Sequence, residues 1–108
     1  MGELSKKVGK RIKQIRESQN IKQCILAEKL NMEPSNLTRI ESGYQLPKEE
    51  NMQKIAAILN VDVKDLFDFH DEYSKEILRD KIINIIEDSS LNEVRFLYDF
   101  MKLYMLSK

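Results

Sequence analysis

The sequence of 108 residues has few of the residues that interrupt helices or cross-link a chain: three glycines, two prolines and one cysteine. The single cysteine, Cys24, excludes an internal disulfide, and together with the single histidine, His70, it is too little for a structural zinc site. The longest apolar run, Ile55–Leu59, is far shorter than the roughly 20 residues that span a bilayer. The basic amino terminus has no apolar stretch behind it. We therefore expect a cytoplasmic protein with no membrane partner and no bound metal.

Charge of one sign is also lacking overall, because 18 Lys and Arg balance 18 Asp and Glu. The charge is unevenly distributed: residues 1–31 carry eight basic and three acidic residues, whereas residues 69–108 carry six basic and eight acidic residues. Solvated helix faces vary in this way without any partner, so the asymmetry alone does not select a function. With 42% hydrophobic and 33% charged residues and few helix breakers, the composition predicts an all-α globular chain.

Five short helices are predicted before residue 68. Apolar residues recur at helical spacing in the first, and Pro34 suits the first position of the third. Residues 61–70 nearly alternate apolar and polar, as a strand does, but no second strand is available to pair with them. The helices are expected from Leu4 to Ile15, from about Lys22 to Leu30, from Pro34 to Gly43, from roughly Glu49 to Leu59, and in one or two turns after Asp62.

A boundary is predicted at residues 69–72, so that residues 1–68 form one domain and residues 73–108 a C-terminal hairpin of two helices. Ser90 and Glu93 match a capping box, which places the start of the second helix there. A hairpin of about 40 residues does not bury two apolar stripes by itself. It packs on its own domain, on a second copy or on a different protein. We expect a dimer seam made of the apolar stripe Val94, Leu97, Tyr98, Met101, Tyr104 and Met105.

The second and third helices, joined by a tight turn, have the layout of a helix-turn-helix. The surrounding residues resemble the Cro/repressor-type (XRE-like) helix-turn-helix family of phages and bacteria over roughly residues 8–68. The resemblance rests on Val8–Ile12, Gln23, Leu26–Ala27, Leu37, Arg39–Glu41, Gly43, Pro47, Ile55–Ala56 and Leu59, and on Asn60–Asp62 and Leu66–Phe67 at the end of the domain.

The resemblance implies a five-helix lambda-repressor-like domain that binds double-stranded DNA, usually as a dimer on an inverted repeat. The third helix is then the recognition helix, which lies in the major groove. Ser35 and Arg39 fall on the family's base-reading positions, and Asn36 lies beside them. Gln23 corresponds to a phosphate contact that also steadies the recognition helix, and Thr38 suits a phosphate or a thymine methyl group.

The resemblance also pairs Arg16 with Glu41 in an internal salt bridge between the first helix and the recognition helix. One departure is Glu33, where relatives commonly have Ser or Thr, because a glutamate caps a helix poorly and repels phosphate. Cys24 stands where polar residues are commoner, and we expect it to be a small, partly buried side chain.

The chemistry of the residue types supports this interpretation independently of the family. The guanidinium of Arg39 presents two parallel donors that fit O6 and N7 of guanine. Four basic residues are expected to attract the phosphate backbone without regard to sequence, which makes binding depend steeply on salt. These residues are Lys10, Arg11, Lys22 and Lys48.

Two functions from different classes remain open. The first is a sequence-specific transcriptional regulator, a repressor that binds DNA as a homodimer. The alternative is a protein-interaction module, such as an antitoxin or an antagonist-controlled regulator, whose hairpin binds a different protein. The sequence has no Gly-rich phosphate loop and no nucleophile beside a base, so we expect no catalytic residues, no cofactor and no enzyme activity.

Overall fold

The computed structural model describes residues 2–108, and over that range it contains helices and no strand. This confirms the predicted all-α fold class. Residues 61–70, where a strand was the alternative, contain a short 3-10 helix instead, Val63–Phe67. The α-helices are α1 (Glu3–Ser18), α2 (Gln23–Lys29), α3 (Pro34–Glu41), α4 (Glu49–Leu59), α5 (Lys75–Glu87) and α6 (Leu91–Leu106).

The chain divides into two compact units. The N-terminal unit ends at Phe69 and holds α1 to α4 with the 3-10 helix Val63–Phe67. The C-terminal unit, His70–Lys108, begins with a second short 3-10 helix, His70–Glu72, and holds α5 and α6. No helix among residues 2–108 combines the length and the apolar character that crossing a membrane requires.

A single hydrophobic core holds the N-terminal unit together. Each helix contributes the residues that its apolar period places on one face, and these side chains are almost completely buried. Burying a large aliphatic side chain stabilises a fold by roughly 1.5–3 kcal/mol. The core consists of Val8, Ile12, Ile15, Leu26, Ala27, Leu30, Leu37, Ile40, Ile55, Ala56, Leu59 and Leu66. Leu4, which continues the stripe of α1, is nearly half exposed and lies outside this core.

The helices of the N-terminal unit end at residues that tolerate a left-handed backbone. Asn20, Asn31 and Asn60 have φ values of 58°, 54° and 57°, and Gly43 has a φ of 88°. Asparagine and glycine adopt this conformation more readily than other residues. The α-helical part of α3 ends at Glu41, two residues before the predicted stop at Gly43.

Gly9 lies where α1 packs directly against the end of α3. A Cβ atom built on Gly9 would overlap the backbone carbonyl oxygens of Ile40 and Glu41. The absence of a side chain therefore lets the end of α3 lie directly against α1. This contact holds the recognition helix of the predicted motif on the core.

The C-terminal unit differs from the N-terminal unit in that its two α-helices bury no residue. The hydroxyl of Ser90 accepts the Glu93 N–H at 3.2 Å, and the Glu93 carboxylate accepts the Ser90 N–H at 2.9 Å. The predicted capping box is therefore present at the start of α6. Tyr73, predicted within the first helix of the hairpin, precedes α5, whose cap is Ser74. Neither α5 nor α6 contains a buried residue.

Candidate nucleic-acid interface

The turn between α2 and α3 determines the angle at which α3 leaves the core. Asn31, in the left-handed conformation, follows α2, and the Met32 N–H donates to the Ala27 carbonyl at 2.9 Å. Pro34 then occupies the first position of α3. Because Leu26 of α2 and Leu37 of α3 are both fully buried, the two helices are held from the inside of the motif.

The outer face of α3 carries Ser35 and Arg39. Leu37, Ile40 and Glu41 are buried, and successive residues of an α-helix turn by about 100°. Ser35 and Arg39 therefore lie on the side opposite the core, and both are exposed. This arrangement leaves a guanidinium and a hydroxyl available along the outward face of the helix.

Thr38 and Asn36 flank that outer face on its two sides. Thr38 lies toward α2, where its Oγ1 is 3.0 Å from Oε1 of Gln23. Asn36 lies toward α4 and lines an open polar depression that also includes Asn51 and Lys54. The base-reading residues predicted from the sequence thus share one helix, but Asn36 is on a different edge from Thr38.

A buried ion pair lies beneath the predicted interface. Arg16 Nε is 2.7 Å from Glu41 Oε2, and Arg16 donates a second bond to Oε1 at 3.1 Å. A third donor of Arg16 bonds the carbonyl of Ile21 at 2.8 Å, in the connection between α1 and α2. The hydrogen bond to Glu41 raises the pKa of Arg16 above its ordinary value. This pair ties α1, the start of the motif and the end of α3 to one another.

The basic residues predicted to attract phosphate divide into two groups. Lys10, Lys22 and Lys48 are exposed, and Lys22 and Lys48 are the N-cap residues of α2 and α4. Arg11, by contrast, is half-buried and donates to the carbonyl oxygen of Asp65 at 2.8 Å. Its guanidinium also lies 3.9 Å from the Asp68 carboxylate, so Arg11 holds α1 against the 3-10 helix Val63–Phe67.

At two positions where the sequence departs from the family pattern, Glu33 and Cys24, the structure confirms one expectation and contradicts the other. The Glu33 side chain makes no capping hydrogen bond to α3, as expected for a glutamate at that position. Cys24 was expected to be partly buried, and this expectation is wrong: its side chain is exposed at the second position of α2. Cys24 precedes the buried Leu26 and Ala27 by two and three residues and lies on the solvent side of α2, where only those two residues are buried.

The predicted seam of α6 is accessible over much of its length. Val94 and Leu97 are half-buried, whereas Tyr98, Met101, Tyr104 and Met105 are exposed. A second apolar strip on the same helix was not included in the prediction: Phe96, Phe100 and Leu103, which are 71%, 56% and 68% exposed. Their spacing of four and three residues is itself the signal that would have revealed this strip.

Among residues 2–108 no group of three or more His, Cys, Asp or Glu side chains is placed to hold a metal ion. The interface consists of hydrogen-bonding and charged side chains on two short helices. Such an arrangement suits an extended polar partner that makes many separate contacts.

Comparisons with known proteins agree with this geometry. A family model described as Helix-turn-helix matches residues 12–66, which is half of the chain. The ImmF control region 10 kDa protein of Bacillus phage phi105 is 36% identical over 58 residues. That match covers 54% of this chain and 64% of the phage protein, so the chain spans less than two thirds of that relative's length.

Three solved structures share the fold. The biofilm master regulator SinR, solved in complex with DNA, is 37% identical with a TM-score of 0.53, and the match covers 56% of this chain and 98% of that one. A SinR/SinI protein complex contains a chain that is 29% identical with a TM-score of 0.56, over 94% of this chain and 99% of that one. The regulator ClgR of Corynebacterium glutamicum, at 21% identity, has a TM-score of 0.58 over 62% of this chain and 87% of that one.

Proposed function

The chain belongs to the helix-turn-helix family of DNA-binding regulators, in its XRE-type branch, and from this premise we propose that it is a sequence-specific, non-catalytic transcriptional repressor acting on cytoplasmic DNA. The observation that carries the proposal is the exposed outer face of α3. Ser35 and Arg39 lie on this face, while the opposite side of the same helix is buried against the core. An α-helix with such a face fits the major groove of B-DNA.

Base recognition is assigned to α3. Arg39 contacts a guanine edge with two parallel donors, and Ser35 contacts a neighbouring base or phosphate. Asn36 reaches the edge of the site nearer α4. One bidentate contact of this kind contributes roughly 1–3 kcal/mol of discrimination against a wrong base.

Positioning on the phosphate backbone is assigned to the residues on the α2 side of the interface. Lys22, Gln23 and Thr38 lie together there, since Gln23 and Thr38 are hydrogen-bonded and Lys22 precedes Gln23. Lys10 and Lys48 add charge attraction. Arg11 is left out of this group because its guanidinium already bonds the Asp65 carbonyl.

The protein binds an inverted repeat as a homodimer in this proposal. One recognition helix reads too few base pairs for specificity, whereas two helices about 34 Å apart read successive major grooves. The C-terminal unit supplies the contact between copies, with the stripe from Val94 to Met105 as the seam. Its support is that neither α5 nor α6 buries any residue within the single chain.

The salt dependence of binding tests the assignment of the phosphate contacts. Lys22→Ala should weaken binding to all duplexes alike and lower the slope of log affinity against log salt by about 1, because one fewer counterion is released. Lys29→Ala, an exposed lysine at the other end of α2, should leave the slope unchanged. Fluorescence anisotropy at a series of salt concentrations gives both slopes. Equal slopes for Lys22→Ala and the wild type would remove Lys22 from the interface.

A second candidate function is control by a protein antagonist or association with a toxin. It is favoured by the apolar surface of α6, where Phe96 and Leu103 are exposed beyond the proposed seam, and by the match over 94% of this chain to a chain of the SinR/SinI complex. A pull-down from the native host separates the two candidates. A stoichiometric foreign protein bound to the C-terminal unit favours the antagonist, whereas recovery of the chain alone favours self-association.

A further inference from the structure

Gln23, the first residue of α2, is hydrogen-bonded to the buried ion pair. Its Nε2 lies 3.0 Å from Oε1 of Glu41, the same oxygen that accepts a bond from Arg16. On its other side, Oε1 of Gln23 lies 3.0 Å from the hydroxyl of Thr38, which is exposed. A continuous series of bonds therefore runs from a buried charge to the surface of the proposed interface.

The chemistry of the partners determines which way the Gln23 carboxamide is oriented. An ionised carboxylate only accepts hydrogen bonds, so Glu41 must face the amide nitrogen of Gln23 and not its oxygen. The amide oxygen is then left to accept from Thr38, whose hydroxyl also lies 3.0 Å from the Pro34 carbonyl oxygen. Among the described residues, the second N–H of the Gln23 amide has no partner.

We propose that Glu41 is a positioning residue for DNA binding, which rests on the proposed function: its carboxylate, held by Arg16, fixes the Gln23 carboxamide so that the second amide N–H is presented to a DNA phosphate. A phosphate oxygen, like a carboxylate, only accepts hydrogen bonds. A freely rotating carboxamide would present its oxygen to the phosphate part of the time, and the protein would lose affinity by having to select the correct rotamer.

A purely structural role for Glu41 makes a different prediction. Glu41 is the buried partner of Arg16, so any substitution lowers the stability of the N-terminal unit. A loss of stability alone reduces DNA binding by the same factor whether or not Gln23 is present. A positioning role makes the effect of Glu41 on affinity depend on Gln23.

The first test is NMR of the free protein, without DNA. In the wild type, the side-chain amide protons of Gln23 should exchange with water more slowly than those of the exposed Gln53. Glu41→Gln should shift the Gln23 side-chain amide resonances and speed their exchange. Gln19, whose amide donates to the Leu59 carbonyl at 2.6 Å, should be unaffected and serves as the internal control.

The second test is a double-mutant cycle in DNA affinity, measured on the duplex that the protein selects from a random pool. Each of Gln23→Met and Glu41→Gln should weaken binding about tenfold, the effect of one charge-assisted hydrogen bond. The double variant should bind no more weakly than Gln23→Met alone. The assays are run below the unfolding transition of the least stable variant, so that every protein is folded.

The outcomes separate this inference from the proposed function. Additive losses in the cycle, or fast exchange of the Gln23 amide protons in the wild type, would overturn the positioning role even if the protein binds its selected duplex. A failure to select any duplex would overturn the proposed function, and the NMR measurement would still decide how Gln23 is held. If Glu41→Gln does not fold, exchange of the wild-type Gln23 protons as fast as that of Gln53 would still overturn the positioning role.

Discussion

At the scale of single residues, the ion pair of Arg16 and Glu41 is costly to disturb because it is buried. Both residues are 7% exposed, so each charge has lost most of its hydration. Two bonds between the side chains, and a third from Arg16 to Ile21, compensate for that loss. Removing one partner leaves the other charge buried with a single remaining hydrogen bond, from Gln23 to Glu41 or from Arg16 to the Ile21 carbonyl, which costs more than the pair contributes.

Arg16→Met is accordingly expected to lower the free energy of unfolding by about 3–5 kcal/mol. The double variant Arg16→Met/Glu41→Leu, which removes both charges, should regain part of that loss. Urea denaturation of the three proteins followed by circular dichroism measures both effects. A loss below about 1 kcal/mol for Arg16→Met would show that the pair is hydrated, contrary to its burial.

The exposure and the bonding partners of single residues were predictable where they follow from the family pattern. They were less predictable where they depend on contacts between distant parts of the chain. The pairing of Arg16 with Glu41 and the exposed positions of Ser35 and Arg39 follow from their places in the helix-turn-helix pattern. The bond between Arg11 and the Asp65 carbonyl joins residues 54 positions apart and has no periodic signal. The bond from Gln23 to Glu41 likewise depends on the angle between α2 and α3, which only the packed core determines.

At the scale of elements, the contact of α1 with the end of α3 depends on Gly9. Gly9→Ala places a methyl group against the carbonyl oxygens of Ile40 and Glu41, which belong to the backbone and have no rotamer to move to. We expect a loss of about 1–3 kcal/mol in stability, as for other overpacked sites, together with weaker DNA binding because α3 is displaced.

Gly2→Ala is the matched control for this substitution. A Cβ atom at Gly2 meets only the Ser5 hydroxyl, at an ordinary contact distance of 3.6 Å. Gly2 is the N-cap of α1, where alanine is less favourable than glycine by roughly 0.5–1 kcal/mol, so Gly2→Ala should cost less than Gly9→Ala. Thermal unfolding of both variants gives the comparison, and equal midpoints would contradict the close approach of the two helices.

The start of α6 has a dependence on pH that follows from its capping box. Hydrogen bonds from the Ser90 N–H and then from the Ser90 side chain lower the pKa of Glu93 below its ordinary value. Because the folded pKa is the lower one, this stabilisation is complete above the unfolded value, about 4.3, and is lost as the pH falls through the folded value.

Glu93→Gln should therefore remove this part of the acid sensitivity of α6, and because the amide stands in for the protonated acid, the variant should at neutral pH already show the weaker protection that the wild type shows in acid. Hydrogen exchange of the Ser90 amide proton between about pH 3 and about pH 6, a range that extends more than one unit on either side of the free value, measures the effect after correction for intrinsic exchange. The wild-type protection should fall with acid and that of the variant should not. Parallel profiles in the two proteins would contradict the capping role.

Elements were predictable to within a few residues where start and stop signals are present. The bounds of α4 and the start of α6 agree with those expected from the sequence, because Asn60 follows Leu59 and Glu93 stands three residues after the cap Ser90. The last turns of the N-terminal unit form a 3-10 helix and not an α-helix. That distinction depends on how Leu66 reaches the core, which the local pattern of five residues does not specify.

At the scale of the whole molecule, the two units differ in what each can bury. The N-terminal unit has a closed core, whereas α5 and α6 leave every apolar residue at least partly exposed. In the proposed dimer, the C-terminal unit joins two copies of the chain, so that two recognition helices contact one stretch of DNA. The identity of the partner of α6 was not predictable, because an amphipathic stripe has the same pattern whichever helix covers it.

Met101→Asp should convert the dimer to a monomer, because it places a charge in the seam, and should weaken operator binding more than tenfold through the lost second half-site. Asn92→Asp adds the same charge on the face of α6 opposite Met101 and should remain a dimer. Sedimentation velocity gives the oligomeric state of each protein, and anisotropy gives its affinity. An identical sedimentation coefficient for Met101→Asp and the wild type would remove this stripe from the seam.

The central claim, that the outer face of α3 reads base edges, is tested most directly by selecting binding sites from random duplexes with the wild type and with Arg39→Ala. The wild type should enrich an inverted repeat whose half-sites are centred about 34 Å, one helical turn, apart. Arg39→Ala should enrich the same repeat with the preference for guanine lost at one position in each half-site. An unchanged preference at every position in the Arg39→Ala pool, or no enriched sequence with the wild type, would contradict the account.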